Sequence, residues 1–228
     1  MPDRDTRLSR SVEDYLKAIL ALAERGKPAS TSALAKSLAV QPASVTGMVK
    51  RLAETGLLEH IPYRGVQLTE SGQREALRIL RRHRILETYL TEELDYAWDE
   101  VHDEAEHLEH AVSDRLIEAM ATALGNPERD PHGAPIPSRD GVMATTPIET
   151  LADAPCGVPL SIRAVRDDNS DQLIEMENRG LTPGTLVEVL SPGIERMKIR
   201  VRVGGAEGPV EVVTDAVARR IFVGASES

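Results

Sequence analysis

Between His83 and His110 the chain gathers four of its six histidines (His83, His102, His107 and His110), with Glu87, Glu106 and Glu109 among them. Imidazoles and carboxylates are the side chains that hold divalent cations. Here they recur three and four residues apart, a spacing that stacks them on one face of a helix. His83 and Glu87 interrupt an apolar stripe running from Leu80 to Leu90. A buried imidazole and carboxylate need a partner, and a shared cation supplies one. His102, Glu106, Glu109 and His110 cluster beside a second stripe of Val101, Ala105, Leu108, Val112 and Leu116. Any single member is explained as well by a salt-bridge seam or an acidic surface, but the whole set on two helices favours metal. His107 falls off the shared face, and His60 and His132 have no neighbours of this kind. Glu104 and His107 form an E-x-x-H unit, as in di-iron bundles. Those need two such units and two further glutamates, so a carboxylate-bridged metalloenzyme ranks low as an alternative.

The elements that must position these residues follow from periodicity and breakers. Ser11–Arg25 reads as an amphipathic helix with Val12, Tyr15, Leu16, Ile19 and Leu22 inward, stopped by Gly26 to Pro28. Ser32–Leu38 is a short helix, followed by a turn over residues 39–41. Pro42 opens a helix that Gly56 ends near Thr55. Leu57–Ile61 and Val66–Thr69 alternate as two strands around a turn at Pro62 to Gly65. Helix, helix, turn, helix and hairpin in this order make a winged helix-turn-helix. Long helices are expected over Glu70–Leu94 and Glu100–Leu124, then a Pro- and Gly-rich loop over 127–141 and a short helix over Val142–Leu151. Beyond these, Pro159–Val165, Leu186–Leu190, Lys198–Val203 and Val210–Val213 read as strands. Turns at Thr182 to Gly184, Ser191 to Gly193 and Gly204-Gly205 separate them, a pattern that suits a small β-barrel.

The helix from Pro42 buries Val45, Met48, Val49 and Leu52 and presents Ala43, Thr46, Gly47 and Lys50 outward. Small residues let a helix seat deeply in a major groove, where a hydroxyl and a lysine reach base edges or phosphates. Ser44 lies near the helix N-terminus, which favours a phosphate oxygen. Tyr63 and Arg64 at the hairpin tip are placed to grip the neighbouring backbone. With Gln41 in the turn before the helix, these residues form the candidate DNA-reading set. Charge agrees: residues 1–73 carry 10 Lys+Arg against 8 Asp+Glu, whereas residues 74–140 carry 8 against 16. Only the first third suits phosphate, and the acid concentrates where the candidate ligands lie. Double-stranded DNA is the expected partner, with no small organic substrate.

The 228 residues contain no apolar run of membrane-spanning length, and the N-terminus lacks the apolar core of a secretion signal. The single cysteine, Cys156, excludes an internal disulfide and fits a reducing compartment. A cytoplasmic location without a membrane partner is expected.

Five segments resemble the diphtheria toxin repressor family of iron- and manganese-dependent regulators, including its manganese transport regulator branch. They are SVEDYL (11–16), QPASVT (41–46), RHRILE (82–87), VHDEAEHLEH (101–110) and DPHGAPIP (130–137). With the β-rich end, the resemblance covers essentially the whole chain. It implies a homodimer formed by the middle helices and an SH3-like C-terminal domain. It further implies a primary metal site of Asp14, Glu106, Glu109 and His110, and an ancillary site of His83, Glu87 and His102. At the C-terminal positions where the family offers Glu and Gln to the ancillary ion, this chain has Asn169 and Gln172, with Asp168 or Asp171 as substitutes for the missing carboxylate. Asp14 and Glu106 stand where the iron-sensing branch has Met and Cys, so hard carboxylates here favour Mn²⁺, with Fe²⁺ as the alternative. Lys17 stands where the manganese branch has a glutamate bridging two ions, which argues against a closely bridged pair. Asp14 also has a local role open to it, capping the first helix with Ser11.

The expected protein is therefore mainly α with a β C-terminus. It comprises a winged helix-turn-helix (1–73), a helical metal-binding and dimerisation domain (74–141), a linker (142–154) and an SH3-like barrel (155–228). The function implied is a Mn²⁺-activated repressor of metal uptake genes that binds a palindromic operator as a dimer.

Overall fold

The computed structural model describes residues 8–23, 27–143, 149–191 and 198–226. They belong to two compact units. The first comprises the chain up to His83 with Glu109–Val112 and Pro137–Met143; the second comprises Arg84–Leu108, Ser113–Ile136 and residues from 144 onward.

In the first unit α1 (Arg10–Leu22), α2 (Thr31–Ser37) and α3 (Pro42–Glu54) precede a hairpin of β1 (Leu58–Ile61) and β2 (Gly65–Leu68), after which α4 (Glu70–Leu94) begins. Val12, Tyr15, Leu16 and Ile19 form the buried stripe of α1. They share one core with Leu34 of α2, Val45, Val49 and Leu52 of α3, and Ala76 and Ile79 of α4. Ser30 caps α2 by accepting from Ala33 N at 3.1 Å. Gly56, with φ +74°, ends the α3 segment. The hairpin pairs antiparallel from Leu58↔Leu68 to Ile61↔Gly65. Ala29 exchanges two backbone hydrogen bonds with Val66, at 2.8 and 2.9 Å. That pairing brings the chain so close that a Cβ on Gly65 would lie 2.1 Å from the Ala29 carbonyl oxygen. This is the winged helix-turn-helix expected from the sequence. Helix α1 stops three residues earlier than expected, at Leu22, and 24–26 lie outside the described residues.

The join between α3 and α4 is specific. The Thr69 hydroxyl donates to Gly56 O at 2.7 Å and accepts from Gly72 N at 3.1 Å, while Ser71 donates to the same carbonyl at 3.0 Å. The end of the outward-facing helix is thereby fastened to the start of α4.

The second unit contains the rest of α4, then α5 (Val101–Leu108) and α6 (Asp114–Ala123). Its C-terminal part has β3 (Glu149–Thr150), β4 (Pro159–Val165), α7 (Ser170–Asn178), β5 (Leu186–Ser191), β6 (Lys198–Val203), β7 (Val210–Thr214), α8 (Asp215–Ala218) and β8 (Ile221–Ala225). The strands form one antiparallel sheet in the order β3-β8-β4-β5-β6-β7. Alternate residues Val187, Val189, Ile199, Val201 and Val203 pack inward against Leu173 and Met176 of α7.

Two expectations are corrected. The single helix over Glu100–Leu124 is two helices, because Ser113 has an extended backbone (ψ 151°) and its Oγ accepts from Leu116 N at 3.3 Å. Ser113-Asp114 is an N-cap with an acid in the first turn, and it starts a new helix rather than continuing the old one. Glu109 and His110 thus leave the helix, and Leu116, expected in the core stripe, is exposed. The short helix expected over Val142–Leu151 is also absent from the described part: β3 occupies 149–150, and 144–148 lie outside the described residues. The turn expected at Ser191 to Gly193 likewise extends beyond them.

The 129–136 loop is held against the sheet inside the second unit. Asp130 Oδ1 accepts from His132 N at 3.0 Å and Ala134 N at 2.9 Å, and Val165 N donates to His132 O at 2.9 Å. A Cβ on Gly133 would meet Arg163 O at 2.2 Å.

Candidate metal centre and DNA-binding face

In the first unit, α1 turns Glu13, Asp14 and Lys17 away from its core stripe. His110 lies between the first two: Nδ1 is 2.6 Å from Glu13 Oε2, and Nε2 is 2.9 Å from Asp14 Oδ1 and 3.5 Å from Glu109 Oε1. Glu13 is buried and also bonded by Arg82 at 2.6 Å. The Nδ1 proton therefore goes to Glu13, and Nε2 faces two carboxylates. A bare lone pair against two anions is repulsive, so the arrangement calls for a cation at this point, a proton or a metal ion.

Glu109 is wholly buried. Burial would raise its pKa, but the hydrogen bond from His83 (2.7 Å) and the Lys17 ammonium (2.8 and 2.9 Å) outweigh it and hold the carboxyl below its usual range. Asp14, Glu109 and His110 each present one donor atom within 4.8 Å of the others. Glu106 lies in the second unit, 3.9 Å from His102 Nε2.

A second cluster is wholly within the second unit. His102 Nδ1 is 3.3 Å from Glu87 Oε1 and 3.7 Å from Asp167 Oδ2, and Glu87 is fully buried. Asp167, in the turn after β4, was not among the expected ligands. Asn169 is corrected as a ligand: its Oδ1 accepts from Gln172 N at 2.9 Å as the N-cap of α7, which commits the side chain to the helix. Asp168 pairs with Arg220, and Asp171 is exposed in the first turn of α7. Gln172 Oε1 is shielded and has no hydrogen-bond partner among the described residues. Beside this cluster, burial pushes the Asp130 carboxyl up to about 7, helped by Glu87 and opposed by Arg84 and His132. His107 and His60 are exposed, as their sequence positions imply.

The donors of both clusters are carboxylate oxygens and imidazole nitrogens, a set suited to a divalent first-row cation. Cys156 is exposed and takes no part.

On α3, Ala43, Ser44, Thr46, Gly47 and Lys50 are all exposed, as are Gln41 before it and Tyr63 and Arg64 on the wing. A Cβ on Gly47 would meet nothing within 4 Å. A mid-helix glycine costs about 1 kcal/mol relative to alanine, and nothing in the packing around Gly47 requires it.

A winged helix-turn-helix followed by helices that gather carboxylates and imidazoles defines a metal-dependent DNA-binding regulator. The comparisons agree. Residues 7–66 match the model for the N-terminal DNA binding domain of iron dependent repressors, 69–138 the model for their metal binding and dimerisation domain, and 149–224 the FeoA domain. The diphtheria toxin repressor of Corynebacterium diphtheriae is 30% identical over 190 residues, 79% of this chain and 84% of that protein. An uncharacterized HTH-type transcriptional regulator of Methanocaldococcus jannaschii is 40% identical over 114 residues, 50% of this chain and 91% of that protein. A solved manganese-dependent transcriptional repressor in complex with manganese is 39% identical, with TM-score 0.88 over 94% of this chain and 99% of its own.

The chain belongs to the diphtheria toxin repressor family. It is a metal-dependent transcriptional repressor that binds DNA as a dimer, and the alternative of a carboxylate-bridged enzyme falls. Among the described residues no helix is long and apolar enough to cross a membrane.

Proposed function

We propose that this repressor answers to Mn²⁺ in the cytoplasm and, when loaded, closes a palindromic operator of metal uptake genes. The observation that carries the metal choice is Asp14 Oδ1 at 2.9 Å from His110 Nε2. A hard carboxylate completes that site where a softer sulfur ligand would favour other ions. The likeness to a manganese-dependent repressor over 94% of the chain supports it. Fe²⁺ is the second reading, favoured by the iron-dependent family models and the C. diphtheriae relative.

Asp14, Glu109 and His110, with Glu106, would hold the primary ion. His83, Glu87 and His102 would hold an ancillary one, with Asp167 and Gln172 as its C-terminal contributors in place of Asn169. Bound metal would supply positive charge where several carboxylates converge. Glu13 orients His110 through Nδ1, leaving Nε2 for that charge. Asp14 rides on α1, whose opposite face packs on α3, so fastening Asp14 to His110 restrains the DNA-reading helix. Thr69 and Ser71 restrain its far end by binding Gly56. In this reading residues 1–73 read DNA, 74–141 hold metal and pair the protomers, and 155–228 follow the 142–154 linker. Leu94, Tyr96 and Leu116 are exposed apolar residues that a second copy would cover.

The test is an operator mobility shift on chelator-treated protein resupplied with Mn²⁺ or, anaerobically, Fe²⁺. Restoration at a lower free Mn²⁺ than Fe²⁺ concentration is expected. Full operator affinity in chelator sinks the proposal, and preferential rescue by Fe²⁺ transfers it to the second reading. A coupling of about 1–3 kcal/mol corresponds to roughly 5- to 150-fold tighter DNA binding.

A further inference from the structure

Arg74 and Arg78 stand one turn apart on the same face of α4, and neither the metal clusters nor the DNA-reading face uses them. With Arg139 and Asp140 they line a cavity of about 520 Å³ that lies wholly within the first unit. That is the size of a small-molecule site. Among the described residues its lining is entirely charged. Three guanidiniums face one carboxylate, +3 against −1, which leaves a balance of +2.

The backbone shapes this cavity. Gly141 N donates to Ser138 O at 3.0 Å, closing a tight turn with Arg139 and Asp140 at its two central positions. Ser138 N donates to Val142 O at 2.7 Å, and Val142 N donates to Ser138 Oγ at 3.2 Å. The turn lies directly on α4: a Cβ on Gly141, at φ +73°, would fall 2.9 Å from Arg74 Cγ and 3.2 Å from Arg74 O. Arg81, further along α4, donates to Pro137 O at 3.0 Å and holds the chain as it enters the turn. Arg74 and Arg78 bond Glu70 and Glu75 at 3.1 and 3.2 Å, but neither glutamate lines the cavity. Exposed pairs at this helical spacing are weak, so an anion entering the cavity can take over either guanidinium fork.

We propose that this cavity binds a small oligophosphate anion, a ligand of the repressor separate from its metal and its DNA. A guanidinium fork pairs with two phosphate oxygens at once, and three forks around one space fit an anion of two or more charges. Among the described residues no aromatic or apolar side chain lines the cavity to hold a ring, so charge selects the ligand and a nucleobase adds nothing. Bound there, the anion ties α4 to the Ser138–Gly141 turn.

The experiment titrates inorganic tripolyphosphate calorimetrically into full-length, chelator-stripped protein, without metal because tripolyphosphate itself chelates Mn²⁺. One anion per chain is expected, bound about 10-fold more weakly by Arg78→Gln and again by Arg139→Gln. Arg200→Gln, on β6 of the second unit, is expected to leave the affinity unchanged. ATP, which adds a sugar and a base, is expected to bind no tighter than tripolyphosphate; markedly tighter binding overturns the choice of ligand. Absence of binding at millimolar tripolyphosphate overturns the proposal, as does unchanged affinity in the Arg78→Gln, Arg139→Gln double variant. If that variant loses random-sequence duplex DNA and keeps tripolyphosphate, the cavity is a DNA contact and the proposal falls.

Discussion

Lys17 Nζ sits 2.8 and 2.9 Å from the two carboxylate oxygens of Glu109, so a candidate metal ligand is already neutralised by a cation of the chain itself. Metal must then bind beside, or in place of, that ammonium. Lys17→Met is expected to raise Mn²⁺ affinity on the order of 10-fold by removing a positive charge next to the site. It should also lower metal-free stability by about 3 kcal/mol, since a buried carboxylate loses a partner. Chelator-buffered Mn²⁺ titration and melting of the stripped protein check both; an unchanged or reduced affinity would show that the ammonium does not compete. Because Glu109 is held below its ordinary pKa, its stabilising contribution is present above the unfolded value near 4.5 and is lost as pH falls below it. Lys17→Met should lose part of that acid dependence.

Glu13 acts on the proposed ion through His110. Its Oε2 receives the Nδ1 proton at 2.6 Å, while Oε1 receives Arg82 at 2.6 Å. Glu13→Gln removes the charge that fixes the ring and leaves Arg82 without its anion. Mn²⁺ affinity is expected to fall about 10- to 100-fold. Glu13→Asp, which keeps the charge on a shorter arm, should recover part of the loss. Equal affinities for Glu13→Gln and the parent would reduce this contact to packing.

The first unit was legible because its signals are local. The stripe of Val12, Tyr15, Leu16 and Ile19, proline at the start of α3 and glycine after it each decide a boundary within a few residues. The break after Leu108 was hidden because Val112 and Leu116 continue the apolar period of α5, so that only Ser113-Asp114, a cap pair inside an apparent helix, marked it. Asp167 was hidden for a different reason. Asp167, Asp168 and Asn169 are consecutive, and only the course of the chain beyond β4 decides which one turns to His102. His132 has partners 34 and 35 residues away, Trp98 and Asp167, and no spacing rule reaches that far.

Gly47 is exposed in the middle of α3 with open space where its Cβ would be. Gly47→Ala should stabilise the first unit by up to about 1 kcal/mol through helix propensity. If the helix seats closely on DNA, the same methyl group should weaken operator binding several-fold without changing Mn²⁺ affinity. Melting temperature and a mobility shift at saturating Mn²⁺ separate the two effects. Tighter or unaltered operator binding would place this face away from the groove.

Asp130 closes the loop that carries His132, and its carboxyl is pushed up to about 7 by burial and by Glu87, with Asp167 adding to the rise and Arg84 and His132 opposing it. The folded pKa is therefore above the unfolded value near 3.8. Between the two the folded state holds a proton that the unfolded chain has released, so stability falls as pH rises from about 4 to 7. Asp130→Asn keeps an acceptor for His132 N and Ala134 N but cannot ionise. The substitution should flatten this slope in metal-free protein and stabilise the second unit above pH 7, by an amount on the order of 1–3 kcal/mol. Urea unfolding of both proteins at pH 5 and pH 8 measures it. A parent whose stability rises between those pH values, with the same rise in Asp130→Asn, would mean that Asp130 is ionised throughout and that Arg84, 3.2 Å from Oδ2, dominates its surroundings.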